Sequence, residues 1–330
     1  MQALNYPAAA ARSLREYIEQ GKRENVNGEF ARDIDSLEKL LALLEMDVCQ
    51  HFQLPEGGHI FNDQLKGIQG KPVRLPYPLI SISYRCDEPV GLDKQTFDGS
   101  KLVHVRKRVI VAVELPREKL TESQRNVFPG CERLCMVMAL FTNTEIWRPC
   151  ISVALLPTDK WDGTGYEGDT EDVPRFVMEE GGPGFLGKVS VMLPRHFEQV
   201  AQQHGKEWAN RSIHYDIGGE AGVVLELCEA LTCSNVRESV IQRAKPGVNE
   251  RRKRDGKLPI LETKILTLDL PIERRVKIPH QGGTHAIPIG TQLCRGHIRG
   301  WPKDPTRNMW IEDYARGTGE IIKKTYQVRA

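Results

Sequence analysis

Apolar positions recur at helical spacing over the first 50 residues, where Leu14, Tyr17 and Ile18 make one stripe and Leu37, Leu40, Leu41, Leu44 and Val48 a second. Each stripe predicts a helix that buries one face. Asp35, followed three residues later by Glu38, resembles a capping box opening the second helix. From about residue 72 the texture changes to short apolar runs punctuated by proline and glycine: VRLPYPLISISY, VIVAVELP, LCMVMALF, CISVALLP and KVSVMLP. Such runs, rich in Val and Ile and bounded by turn residues, predict strands of an antiparallel sheet. Pro76 and Pro78 place their strand at an edge or make it irregular. The acidic, glycine-rich stretch WDGTGYEGDTEDVPRF (161–176) predicts an exposed loop.

Helical spacing returns after Pro194, with Phe197, Val200, Ala201, His204 and Trp208 expected to face inward. A further helix is predicted over Ala221 to Leu231, where Val224, Leu225, Cys228 and Leu231 line one side. AKPGVNERRKRDGKLP (244–259) has no apolar periodicity and reads as an exposed connection or hairpin arm. Beyond it PILETKILTLDLPIERRVKIP, RGHIRGWP and NMWIEDYARGTGEIIKKTYQV alternate as strands do, with no helical pattern of useful length after residue 245. The expected fold class is α+β: an N-terminal helical segment (1–70), a mixed body with an antiparallel sheet and covering helices (71–243), and a basic β-rich module (244–330).

Composition changes this picture little, but charge does. Charged residues make up 27% and hydrophobic residues 40% of the chain, as in an ordinary globular protein with a sizeable core. The formal net charge of +2 conceals an asymmetry, because residues 243–330 hold 19 Lys+Arg against 9 Asp+Glu and the first 242 residues hold 27 against 35. The basic end therefore carries +10 and the remainder −8, which predicts two surfaces of opposite character. No apolar stretch approaches the roughly 20 residues of a membrane span, no signal-peptide pattern opens the chain, and the eight cysteines are scattered. The expectation is a cytoplasmic chain with reduced thiols and no membrane partner.

Two basic constellations carry the candidate chemistry. Arg251, Arg252, Lys253, Arg254 and Lys257 form a dense run that suits contact with phosphates or with an anionic protein. Its plain alternative is a solvated loop. The second comprises His280, His285, Arg295, His297, Arg299 and Trp301. In RGHIRGW, Arg295, His297, Arg299 and Trp301 stand at period two and would share one face of a strand. Guanidinium groups there could hold phosphates while the indole stacks a base. His297 is the candidate catalytic residue if the module cleaves RNA without a metal, with arginines stabilising the charged transition state. A solvated basic strand with a packed Trp301 is the third reading.

Other motifs predict less. Cys131 with Cys135, and Cys228 with Cys233, lack a second ligand pair at finger-like spacing and sit in apolar runs, so they read as buried thiols rather than zinc ligands. In GGPGFLGK, Gly182 and Gly187-Lys188 match the spacing of a phosphate loop, but Val189 stands where Ser or Thr is needed and a strand follows. A glycine bend is the simpler reading, and neither a metal nor a cofactor is expected.

Three stretches, NERRKRDGKLPILETKILTLDL, RGHIRG followed by MWIEDYARGTG, and VRLPYPLISISY, resemble a family of bacteriophage, prophage and other bacterial mobile-element proteins with a basic RGH-x-R segment near the C-terminus. Together they touch less than a fifth of the chain. The resemblance implies a mobile-element origin in a bacterial host cell and assigns no reaction. The function expected is accordingly an accessory protein that engages nucleic acid, RNA or DNA, or a nucleic-acid-bound host complex. A ribonuclease centred on His297 and an adaptor docking an acidic host protein are the alternatives.

Overall fold

The structure, a computed structural model, describes residues 3–25, 28–58, 60, 74–86, 106–120, 122, 125, 128, 130–142, 146–158, 188–268, 292–294, 297–301, 304–311 and 314–316. Two helices, α1 (Tyr6–Glu24) and α2 (Ala31–Glu45), precede β1 (Gln50–Gln53), β2 (Leu79–Arg85), β3 (Lys107–Pro116), β4 (Arg133–Thr142), β5 (Arg148–Pro149), β6 (Ser152–Pro157) and β7 (Lys188–Val191). They are followed by α3 (Pro194–His204), α4 (Lys206–Thr232), β8 (Val236–Gln242), α5 (Val248–Arg254) and β9 (Thr263–Leu268). Helices over a sheet make the fold α+β.

The sheet has nine strands in the order β7-β6-β4-β3-β2-β1-β9-β8, with β5 pairing β4 outside that path. It is mixed rather than antiparallel, because β1 runs parallel to both neighbours, β2 and β9. A parallel pair needs a long crossover, which segment 54–78 supplies between β1 and β2. β9 also carries the sheet past residue 244, so its pairing with β1 and β8 belongs to the body of the fold. Pro76 and Pro78 do not mark an edge. They precede Leu79 and remove no ladder donor from β2, which lies inside the sheet between β1 and β3.

Alternation along the strands separates two cores. Val109, Val111, Leu134, Met138 and Leu140 pack with Leu14 and Ile18 of α1 and Leu37, Leu40 and Leu44 of α2. Ile110, Ala112, Cys135, Val137 and Ala139 face the other way, onto Ile213, Ile217, Val224 and Cys228 of α4. The strands are apolar on both sides, as burial of both faces requires.

The helix ends depart from expectation in three places. α2 starts at Ala31, upstream of the expected capping box; Asp35 instead pairs with Lys39 at 2.7 Å, and Asn25 Oδ1 accepts the Phe30 N–H at 3.0 Å. α3 opens on Pro194, but Gly205 (φ +91°) ends it and begins α4, so Trp208 belongs to the 27-residue α4. That positive φ is costly for any residue with a Cβ, which fixes the break. The third departure is α5, a helix within the expected arm.

Downstream, β10 (Gln292–Cys294) pairs with β13 (Tyr314–Arg316), and β11 (His297–Trp301) with β12 (Asp304–Ile311), both antiparallel. β12 lies against α4. The loop 161–176 and the glycine-rich 181–187 lie outside the described residues.

Candidate nucleic-acid interface

The basic run folds into a pinned helix-turn. Arg251, Arg252, Lys253 and Arg254 occupy the last turn of α5, where cations meet the negative end of the helix dipole. A Schellman cap closes the helix: Gly256 N–H donates to Lys253 O at 3.1 Å and Lys257 N–H to Arg252 O at 2.8 Å. Gly256 takes the left-handed conformation this cap requires, at φ +65°. The signal was present in RDGKLP, with cations in the last turn, Gly after it and Pro beyond.

Side chains then fasten the turn to the body. Asn249 Nδ2 donates to Ile260 O at 2.9 Å, and its Oδ1 accepts the Ile260 N–H at 2.8 Å. Arg252 Nε donates to Leu258 O at 2.6 Å. From α1, Arg12 Nη2 reaches Gly256 O at 3.1 Å and Asn5 Nδ2 reaches Pro259 O at 2.9 Å. The five cations of the run thus divide. Arg252 is half-buried and ties the turn, and Lys257 stands 3.5 Å from Asp255. Arg251, Lys253 and Arg254 are exposed and make no ion pair among the described residues. Exposed Arg12 joins them, a cation that sequence proximity could not supply.

The second constellation is described only in part. His297 and Arg299 are in β11, in register with Ile311 and Met309. The register shifts between Gly300 and Trp301, so the period-two ladder is interrupted before Trp301. His280, His285 and Arg295 lie outside the described residues.

Several polar clusters escaped the sequence reading. Asp33 is 1% exposed and accepts the backbone N–H groups of Arg195 (3.1 Å) and His196 (3.2 Å), capping α3 from α2. The same carboxylate meets His196 Nδ1 at 2.6 Å, and His196 Nε2 meets Tyr17 Oη at 2.7 Å. On the opposite face of the sheet Arg108 pairs with Glu220 of α4. Lys264 Nζ donates to Tyr77 Oη at 2.8 Å and to Glu238 Oε2 at 2.9 Å, with the Tyr77 ring centroid 4.1 Å away. Beneath α1, His51 Nδ1 lies 2.6 Å from Ser81 Oγ, and burial holds its pKa down at about 4.

Cys131, Cys135, Cys228 and Cys233 are buried, and the seven described cysteines form no disulfide. Burial raises the thiols of Cys49 and Cys228 to about 12 and that of Cys233 to about 11, which keeps them protonated and poorly nucleophilic. Among the described residues no group of three His, Cys, Asp or Glu is arranged to hold a metal ion, and no helix is long and apolar enough to cross a membrane. No protein-family model, curated protein or solved structure matches the chain.

Proposed function

We propose that the chain is an accessory protein of a bacteriophage or related mobile element that engages nucleic acid, or a host complex carrying it, in the host cytoplasm. The observation that carries this reading is the α5 turn. Arg251, Lys253 and Arg254 are exposed and make no ion pair among the described residues, while Asn249, Arg252 and Arg12 hold the backbone beneath them. Three cations on a preorganised support can neutralise phosphates without first losing the freedom of a loose arm. The contact is sequence-independent and of modest affinity, since each phosphate neutralised contributes by counterion release.

Mobility-shift titrations with single- and double-stranded DNA and RNA over a range of salt test this directly. Affinity falls steeply with salt, and the triple variant Arg251→Ala, Lys253→Ala, Arg254→Ala weakens all sequences alike and reduces the logarithmic salt slope by about 2–3. Absence of binding at low salt, or binding insensitive to salt, refutes the reading and leaves the adaptor, whose acidic protein partner would be lost in the same variant. Metal-independent RNA cleavage abolished by His297→Gln would favour the ribonuclease instead.

A further inference from the structure

The cluster at the junction of α1, α2 and α3 is arranged as a proton relay ending on the hydroxyl of a partly exposed tyrosine. Asp33 is buried and receives two backbone N–H groups, so its carboxylate is fixed. Because a carboxylate only accepts hydrogen bonds, His196 Nδ1 donates to it across 2.6 Å. That tautomer leaves Nε2 as a lone pair, which accepts the Tyr17 hydroxyl across 2.7 Å. Phe30 packs its ring edge on the imidazole with centroids 6.0 Å apart, and Arg195 lies over Phe30 while pairing with Glu29 and Glu198. Tyr17, at the far end of the relay, is 37% exposed.

A carboxylate, an imidazole and a hydroxyl in series is the arrangement that activates a weak nucleophile. Tyr17 needs such a base: burial and the Asp33 charge raise its pKa above the ordinary phenol value, so the group is protonated at neutral pH. Two features point to the electrophile. Exposed Arg148 acts electrostatically on the phenol, against the anionic Asp33 and Glu24, and is the cation there that could meet a phosphate oxygen. The α5 turn is anchored to the same helix through Arg12, five residues or about 7.5 Å of axial rise from Tyr17, though on another side of α1. The α5 cations and the phenol are thus tied to one helix, α1.

We propose that Tyr17 is a nucleophile toward phosphodiesters, with His196 as its base and Asp33 as the positioning residue; the choice of substrate rests on the nucleic-acid reading above. Tyr17 Oη attacks phosphorus, forming a Tyr–O–P bond, as the bond from phosphorus to the leaving ribose or deoxyribose oxygen breaks. The phenolic proton passes to His196 Nε2, and the imidazolium, held by Asp33, returns it to the leaving alkoxide. The products are a chain joined covalently to Tyr17 and a free hydroxyl end. Reversal reseals the strand, and no oxidant or reductant is required.

The test uses DNA and RNA oligonucleotides carrying a single bridging phosphorothiolate, whose thiolate leaving group disfavours reversal, together with the small diester thymidine 5′-(p-nitrophenyl phosphate). The expected result is a denaturant-resistant protein–oligonucleotide adduct, mapped to Tyr17 by mass spectrometry. Tyr17→Phe abolishes it, and His196→Gln slows it by roughly 100-fold while both variants keep a cooperative thermal transition. A merely structural junction gives no adduct in the wild type. An adduct on another residue, or none with any substrate, overturns the proposal whatever the salt titrations show. The α5 reading is judged separately by those titrations, and p-nitrophenolate release from the small diester reports on Tyr17 even if α5 binds no nucleic acid.

Discussion

The exposed cations of α5 and the charges inside the layers obey opposite rules. Arg251, Lys253 and Arg254 stand in water without an ion pair among the described residues, whereas Arg108 faces Glu220 and Lys264 faces Glu238. Water solvates the first group at no cost to folding. The second group has lost most of that solvation and is tolerable only because a partner replaces it. A charge that the fold does not use internally is one available to a ligand, and this is why the α5 cluster rather than the denser internal network carries the binding proposal.

The largest effect that can break this contrast comes from removing one buried partner. Glu220 is 1% and Arg108 9% exposed, so Glu220→Ala strands a guanidinium between the sheet and α4. Urea denaturation is expected to show a loss of about 3–5 kcal/mol. Replacing both residues by Leu recovers most of it, because no charge then remains to be solvated. A single variant as stable as the wild type would mean that Arg108 reaches water and that the interior rule fails.

A buried imidazole sharpens the same point through pH. His51 is 8% exposed, and burial holds its pKa down at about 4, against an ordinary 6.5 in the unfolded chain. Between these values the unfolded state takes the proton and the folded state resists it. The stabilisation is therefore complete above pH 6.5 and is lost as pH falls toward about 4, amounting to about 3 kcal/mol. Unfolding free energies measured across that window should fall for the wild type, and the fall should be shallower for His51→Gln by that amount. Identical slopes would show that His51 is protonated in place at little cost.

Sequence legibility follows the same division between contiguous and assembled features. The runs VIVAVELP, LCMVMALF and CISVALLP were legible as strands because each carries its own pattern and turn residues. The parallel placement of β1 was not, since strand direction depends on a crossover rather than on local composition. The α5 cations were visible as a run, while part of their support comes from Asn5 and Arg12, more than 240 positions away. Tyr17, Asp33 and His196 come from three separate helices and share no motif. One signal did mark them: Asp33 lies on the apolar stripe of Leu37, Leu40 and Leu44, just as Glu220 interrupts that of Ile213, Ile217 and Val224. An acid on a buried stripe announces a partner, though not which one.

The smallest expected effect separates charge from support within α5 itself. Asn249 carries no charge, yet its amide closes two hydrogen bonds on Ile260 across the turn. Asn249→Ala removes both in a partly buried setting, for a local loss of about 1–2 kcal/mol. Hydrogen exchange at the Ile260 amide should accelerate about tenfold, while the amides of β3 keep their protection because the turn can open without the sheet. Phosphate affinity should also fall, by less than in the triple cation variant, since every cation is kept and only the ordering cost on binding rises. The salt slope should stay at the wild-type value, because the same number of phosphates is neutralised. Reduced affinity with an unchanged slope would assign Asn249 to preorganisation; unchanged affinity beside faster exchange would show that the cations act through charge alone.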